Sequence, residues 1–325
     1  MQKTSLVTGG AGFIGFHLSK NLAKNQHVVI ADNFIRGKKD LEFNKLLENK
    51  NVSFIEIDLI DKNQFTKLDK YDFVYHLAAI NGTENFYKIP DKVLKVGTIG
   101  TINMLDWFIQ NKKGKFLFSS SSETYAGTLK LLGKNFPIPT PEEIPLTVED
   151  PSNPRWSYGA GKIISEVAVH CYNHIHDFDF SIVRYHNIYG PRMGTEHVMP
   201  QFIKRILKKE NPFKIFGGKE TRAFCFIDDA VQATKLVMEN PKANKKTFHI
   251  GRSDEEIKII DLAKMLFEIA GTNPEIKTLP APKGSVKRRC PDVSKLSALG
   301  FKPEVKLKEG LLKIFEWYQE YFAEN

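Results

Sequence analysis

The chain has 325 residues, with 47 Lys plus Arg against 38 Asp plus Glu, and a formal net charge of +9. At roughly 100–200 residues per domain, that length predicts two domains or one large α/β unit. Hydrophobic residues at 42% and charged residues at 26% are ordinary globular usage, which excludes disordered and fibrous classes.

Residues 4–8 (Thr-Ser-Leu-Val-Thr) predict a strand ending in glycines, and 12–24 a helix. Buried strands are expected at 27–31 (HVVIA), 52–57 and 73–77, then a long helix near 90–111. A fifth strand follows at 115–119, a helix at 157–173 and a sixth strand at 180–185. The apolar runs are continuous rather than alternating and take turns with helices, as parallel strands covered on both faces require. This predicts a Rossmann-type, doubly wound parallel sheet. After Gly190-Pro191 the pattern changes: a helix at 200–209, a short strand at 213–216, a helix at 227–239 and a terminal helix at 307–323, with 273–305 rich in Pro, Lys and Gly. The expected organisation is α/β: a doubly wound domain over 1–185 and a smaller α/β lobe over 186–325, with the chain free to cross between them.

No apolar run approaches the roughly 18–20 residues of a bilayer span. The first strand begins within four residues of the N-terminus, leaving no room for a signal peptide. Cys171, Cys225 and Cys290 have neither CxxC nor His-rich spacing, so no disulfide framework and no metal site are expected. A cytoplasmic protein follows. The basic excess is spread over Lys38-Lys39, Lys208-Lys209 and Lys245-Lys246, which reads as solvated surface. It forms no basic face with base-stacking aromatics, so no nucleic-acid partner and no membrane partner are expected. Attraction for an anionic small substrate is compatible with it.

Thr8-Gly9-Gly10-Ala11-Gly12-Phe13-Ile14-Gly15 lies between the first strand and the first helix. Alone the glycine spacing is a weak signal. In this position it lets backbone amides at a helix N-terminus approach a pyrophosphate closely. Asp32, with Asn33 after it, closes the second strand, where a carboxylate accepts ribose hydroxyls and repels a 2′-phosphate; this favours NAD over NADP. Asp58-Leu59 ends the third strand, within reach of an adenine amino group. Leu77-Ala78-Ala79 ends the fourth with small residues that admit a cofactor.

Tyr158 and Lys162 stand i, i+4 on one face of a predicted helix. An ammonium beside a phenol favours phenolate and lowers its pKa. A lone YxxxK usually means a solvated helical pair. Its weight here comes from the preceding Ser119-Ser120-Ser121-Ser122-Glu123 run at the end of the fifth strand, where a hydroxyl can bond the substrate oxygen that Tyr158 deprotonates. That run also has a plain reading as a polar strand exit.

With TGGAGFIG, HLAA, SSSSETYAG, YxxxK, RYHNIYGPRM, TRAFCFIDD and KRRCPD in this order, essentially the whole chain resembles an extended short-chain dehydrogenase/reductase. The branch it resembles comprises NAD-dependent nucleotide-sugar epimerases, dehydratases and decarboxylases. In that family NAD takes a hydride from the sugar, usually at C4, while the Tyr removes the hydroxyl proton. The resemblance implies Tyr158 as base, Lys162 as its pKa modulator and ribose anchor, and Ser121 as hydroxyl partner. Ser122 and Glu123 complete the catalytic set. Gly9, Gly12, Phe13, Ile14, Gly15, Asp32, Asn33, Asp58, Leu59, Leu77, Ala78, Ala79 and Ser119 are expected at the cofactor. Asn187, Arg222 and Arg289 would bind the diphosphate or nucleoside of a nucleotide-diphosphate sugar, with Thr83 and Arg192 also at the substrate. Family members commonly dimerise through two helices, here 97–111 and 158–173. Their apolar faces (Ile102, Leu105, Phe108; Ile163, Ile164, Val167) read equally well as core.

The net reaction is less determined. Ser122-Glu123 replaces the Asp-Glu pair of 4,6-dehydratases, which disfavours dehydration. UDP-glucuronate decarboxylases share the Ser-Glu pair and an Arg like Arg289, but the loop Ile80–Tyr87 lacks their proline, and Gly97 stands where the family usually has Asn. The leading expectation is 4-epimerisation or C4 dehydrogenation, with decarboxylation and dehydration as alternatives. A non-catalytic NAD-binding sensor or interaction protein is the rival of another class; the intact Tyr158, Lys162 and Ser121 set speaks against it.

Overall fold

Six runs of apolar residues lie in one sheet as β1 (Thr4–Thr8), β2 (His27–Asp32), β3 (Val52–Glu56), β4 (Phe73–His76), β5 (Lys115–Ser121) and β6 (Asp179–Tyr185). The computed structural model describes residues 2–111, 113–281 and 286–324. Part of the Pro-, Lys- and Gly-rich stretch, residues 282–285, lies outside them. Between the strands run α1 (Phe13–Leu22), α2 (Leu41–Leu47), α3 (Thr83–Lys88), α4 (Pro90–Asn111), α5 (Ala126–Leu132) and α6 (Trp156–His176). The rest of the chain forms β7 (Ile188–Tyr189), α7 (Val198–Leu207), β8 (Phe213–Phe216), β9 (Thr221–Ala223), β10 (Cys225–Phe226), α8 (Ile227–Glu239) and β11 (Lys246–Ile250). It ends with β12 (Glu256–Lys258), α9 (Ile259–Ile269), β13 (Ile276–Leu279), β14 (Arg288–Arg289), α10 (Ser294–Ser297) and α11 (Leu307–Glu324).

The large sheet has seven strands in the order β11-β6-β5-β4-β1-β2-β3. From β6 to β3 every neighbouring pair is parallel, with Leu6 opposite both Val29 and Val74. The winding direction changes between β1 and β4, and ligands of such sheets bind beyond the strand ends at that switch point. The doubly wound expectation therefore holds. The seventh strand is additional to it. β11 lies 60 residues beyond the last strand that the sequence pattern predicts for this sheet, behind Lys245-Lys246, and no local signal ties it to β6.

Two units divide the chain. One comprises Met1–Phe136, Glu142–Tyr185 and Val231–Phe248; the other comprises Pro137–Pro141, His186–Ala230 and His249–Asn325. In the first unit, Leu6, Val74, Met104, Leu105, Phe116 and Ile182 are fully buried between sheet and helices. The apolar faces read on two helices split: Leu105 and Phe108 are core, whereas Ile164 and Val167 are about half exposed, at 47% and 55%. Lys115 donates to the Val237 carbonyl at 2.9 Å, and Tyr185 pairs its hydroxyl with Thr234 at 2.8 Å, tying the last segment of this unit to its sheet.

In the second unit β9 is flanked by β12, antiparallel, and β14, parallel; β8 pairs with β13 and β7 with β10. The fully buried Arg252 is held by Asp254 at 2.8 Å and donates to the Val305 carbonyl. Asp229 accepts the backbone N–H groups of Glu304 and Val305. Buried charges of this kind persist only when paired in this way.

Candidate active site

The glycine turn follows β1. Gly9 has φ +70°, and a Cβ there would stand 2.8 Å from the Ala78 backbone, so only glycine lets this turn close against the segment after β4. A Cβ on Gly15 would overlap the Gly9 carbonyl, which fixes how tightly α1 leaves the turn. Gly12 caps α1 without a side-chain bond, and Phe13, Ile14 and Gly15 form its first turn. Helix amides at this end, having no partner within the helix, face outward for an anion. Leu77, Ala78 and Ala79 are part-exposed directly after β4, with the Leu77 N–H on the Thr8 carbonyl.

Asp32 is buried at the end of β2. Its two oxygens accept from the Ala11 N–H at 3.0 Å and the Phe34 N–H at 2.7 Å. Burial lifts its carboxyl above the usual range, opposed by those backbone bonds. It thus braces the glycine turn. Asn33 turns its side chain to the Ile35 N–H, and Asp58 to the Ile60 N–H. Leu59 is buried against Gly100, and its carbonyl accepts from Asn103. Thr83 opens α3.

Tyr158 and Lys162 share a face of α6, as their spacing predicts. Lys162 is 2% exposed and donates to the Ser119 carbonyl at 2.6 Å, with its ammonium 5.7 Å from the Tyr158 ring centre. Ser121, at the end of β5, hydrogen-bonds the Tyr158 hydroxyl. Its Oγ accepts from the Glu123 N–H at 3.2 Å, which leaves its own proton to donate. Ser122, buried, and Glu123 lie in the 3-10 turn Ser122–Tyr125 that follows.

Burial raises the Tyr158 phenol to about 12, with Ser121 pulling down and the Glu123 charge pushing up. Burial also lowers the Lys162 amine to about 7, opposed by the Glu166 charge. Desolvation is the largest influence on both groups. Burial, with the Lys162 charge adding to it, holds His76 down to about 3, so His76 is neutral. His76 bridges Thr8 and Thr101 at 2.8 and 3.0 Å.

Several residues of this site escape motif reading. Phe86 of α3 stacks on Tyr158 with centroids 5.2 Å apart. Glu166, one helical turn beyond Lys162, accepts from Ser120 at 2.5 Å and bidentately from Arg184 at 2.8 and 2.7 Å. Arg155 pairs with Glu123 at 3.5 Å. Arg155 and Glu166 carry a detectable signal, since both recur at helical spacing around Tyr158 and Lys162.

In the second unit, the β9–β14 register sets Arg222 directly opposite Arg289. Asn187 joins them by donating from Nδ2 to the Ala223 carbonyl at 3.0 Å, on the same strand as Arg222. Like charges directly opposite are unfavourable by themselves and are suited to sharing an anion. Arg192 is buried, with φ +65°, in the left-handed region.

The sequence model of the NAD dependent epimerase/dehydratase family matches residues 5–251. The chain belongs to this family. Over 98% of its length and 99% of the relative's, the family member is 34% identical to UDP-N-acetyl-alpha-D-glucosaminuronate decarboxylase of Bacillus cytotoxicus. UDP-glucose 4-epimerase of Thermotoga maritima, solved with UDP-glucose, superposes with a TM-score of 0.84 at 32% identity, covering 98% and 99% of the two chains. UDP-glucuronic acid 4-epimerase of Bacillus cereus, solved with UDP-glucuronic acid and NAD, gives 0.81 at 29% identity with the same coverage. The epimerase/dehydratase-family protein is an enzyme with NAD as its cofactor, and its glycine cradle and Asp32 fit a dinucleotide. Among the described residues, no group of three or more His, Cys, Asp or Glu is placed to hold a metal ion, and no helix is long and apolar enough to cross a membrane.

Proposed function

We propose that the protein oxidises a nucleotide-diphosphate sugar at C4 and returns the hydrogen to the opposite face, a net 4-epimerisation. The observation that carries this reading is the Ser121–Tyr158–Lys162 arrangement beside a glycine cradle in the same unit. Held by Gly9, Gly12, Gly15 and Asp32, NAD supplies the hydride acceptor and, in its nicotinamide, positive charge near the phenol. Tyr158 takes the proton of the C4 hydroxyl as the carbonyl forms, and gives it back in the reverse step. Ser121, bonded to the Tyr158 hydroxyl, turns its proton to the same sugar oxygen when substrate is present. Lys162, fixed on the Ser119 carbonyl, stabilises phenolate when charged and meets the ribose. Arg222, Arg289 and Asn187 hold the diphosphate, and Arg192 and Thr83 are further substrate contacts.

Decarboxylation of a nucleotide-linked uronate is the second reading. The Bacillus cytotoxicus relative and the Ser122-Glu123 pair favour it. Both readings begin with oxidation at C4. A cytoplasmic location and a homodimer accompany the proposal; Leu94, Ile99, Ile164 and Val167, all exposed on α4 and α6, are the surface such a dimer would cover. The deciding experiment incubates the protein and NAD with UDP-glucose, UDP-N-acetylglucosamine, UDP-glucuronate and UDP-N-acetylglucosaminuronate, and follows product mass and stereochemistry. Inverted C4 at unchanged mass supports epimerisation, and loss of carbon dioxide supports decarboxylation. No turnover of any sugar with NAD bound would overturn both.

A further inference from the structure

Arg155 has no part in the chemistry above, yet its position is specific. It stands at the N-terminus of α6, and Arg155, Tyr158 and Lys162 at i, i+3 and i+7 lie on one helix face. Its guanidinium lies 3.5 Å from the Glu123 carboxylate, with both side chains only about a quarter exposed at 27% and 25%. The Trp156 ring, 5.2 Å away, and the bond from its N–H to Asn153 hold it in place. Glu123 is also fixed from behind: its N–H is on Ser121, and its carbonyl would be 3.1 Å from a Cβ on Gly159, so α6 rests on this turn.

The remaining surroundings of Tyr158 offer little charge. Tyr158 packs against a cluster of Ile80 after β4, Phe86 from α3 and Val93 from α4, all uncharged. Lys162 on its own helix and Glu123 on the turn are the charges that face it, and His76 beside Lys162 is neutral. The Glu123 carboxylate opposes formation of a phenolate at Tyr158.

We propose that Arg155 is a positioning residue: it holds Glu123 as an ionised carboxylate against the N-terminus of α6 and balances the negative charge that Tyr158 would otherwise face. Through Glu123 it also sets the Ser121 hydroxyl, whose Oγ the Glu123 N–H engages. Arg155 need not touch the sugar. This inference rests on the reading of Tyr158 as the base. It predicts that removing the guanidinium makes both Glu123 and Tyr158 harder to deprotonate.

The test compares the full chain with Arg155→Gln and Arg155→Lys, using carboxyl-labelled glutamate and NMR, with Glu123 assigned from its loss in Glu123→Gln. In Arg155→Gln the Glu123 midpoint should rise by about one unit, and Arg155→Lys should restore most of it. With the UDP-sugar turned over by the wild type, the rise of kcat with pH should move upward by a similar interval in Arg155→Gln and return in Arg155→Lys. NAD binding should match the wild type in both variants, which shows that each is folded. An unmoved Glu123 midpoint in a variant that still binds NAD would overturn the proposal. So would a rate loss equal at every pH that Lys does not rescue. If the wild type turns over no sugar, the functional reading fails, and the carboxyl titration still decides the Arg155–Glu123 pairing.

Discussion

The two units use positive charge in opposite ways. In the first, the Lys162 amine is buried on the Ser119 carbonyl and burial drives it down to about 7, next to a phenol driven up to about 12. In the second, Arg222 and Arg289 lie opposite each other on neighbouring strands and are only part-buried. Proton transfer needs groups whose ionisation the surroundings can move, and a buried Lys162 beside a part-buried Tyr158 is such a device. Holding a diphosphate needs charge that no surroundings remove, and guanidinium provides it in a fixed fork. Under the proposed function the first serves proton transfer and the second binding, and each side can be tested.

The largest effect belongs to the first unit. Tyr158→Phe removes the proton acceptor and should lower kcat by about 10³-fold, within the usual range for a general base, while KM and NAD affinity stay near wild type. Steady-state kinetics with a NAD titration checks this; a large KM change would mean that Tyr158 mainly binds. Arg222→Ala and Arg289→Ala should show the reverse pattern. Each loses charge-assisted bonds worth about 1.5–3 kcal/mol, so KM should rise by about 10–100-fold with kcat nearly unchanged. Equal loss of kcat in these variants would erase the division between the units.

Lys115 tests whether a shifted lysine by itself marks a reaction centre. It lies at the start of β5, and burial lowers it to about 8 from 10.5. Between those values the unfolded chain binds the proton that the folded chain does not, so this group adds stability as pH rises through that window. The contribution is complete above pH 10.5 and is lost as pH falls through about 8. The melting temperature of the wild type relative to Lys115→Met should therefore climb between pH 8 and 10.5, with turnover little altered. A flat difference would show that the amine titrates normally. The smallest effect is at Gly97. A Cβ there meets no atom within 4 Å, although the residue is buried in α4. Gly97→Ala should stabilise the protein by about 0.5–1 kcal/mol in thermal unfolding. Weaker NAD binding in that variant would instead show that the space serves the cofactor.

What was legible in the sequence was what the chain writes contiguously. The glycine turn, the carboxylate closing β2 and the Tyr158–Lys162 pair each encode their geometry within a few residues, and the structure places them as their spacing requires. The positions of the six strands along the chain followed from the same short-range patterns. Pairings between distant segments were not legible. Arg155 and Glu123 come together because α6 rests on the turn after β5, and Arg222 faces Arg289 through a strand register that no local pattern specifies. The surroundings of Tyr158 were not legible for a related reason: a sequence shows the lysine one turn away but not the burial, which pushes the phenol up.

The end of α8 and the start of β11 belong to the first unit although 45 residues of the second precede them in the chain, from His186 to Ala230. The chain passes between the units after residues 136, 141, 185, 230 and 248. During synthesis the sheet therefore cannot gain its outer strand until residue 250 has emerged, long after β6 has been made. Until then the far edge of β6 carries unpaired N–H and C=O groups, the kind of edge that templates aggregation. A chain cut at residue 185 would keep every motif of the cofactor site and present that edge permanently. The two units are thus a single product of translation and cannot be exchanged between proteins by joining halves.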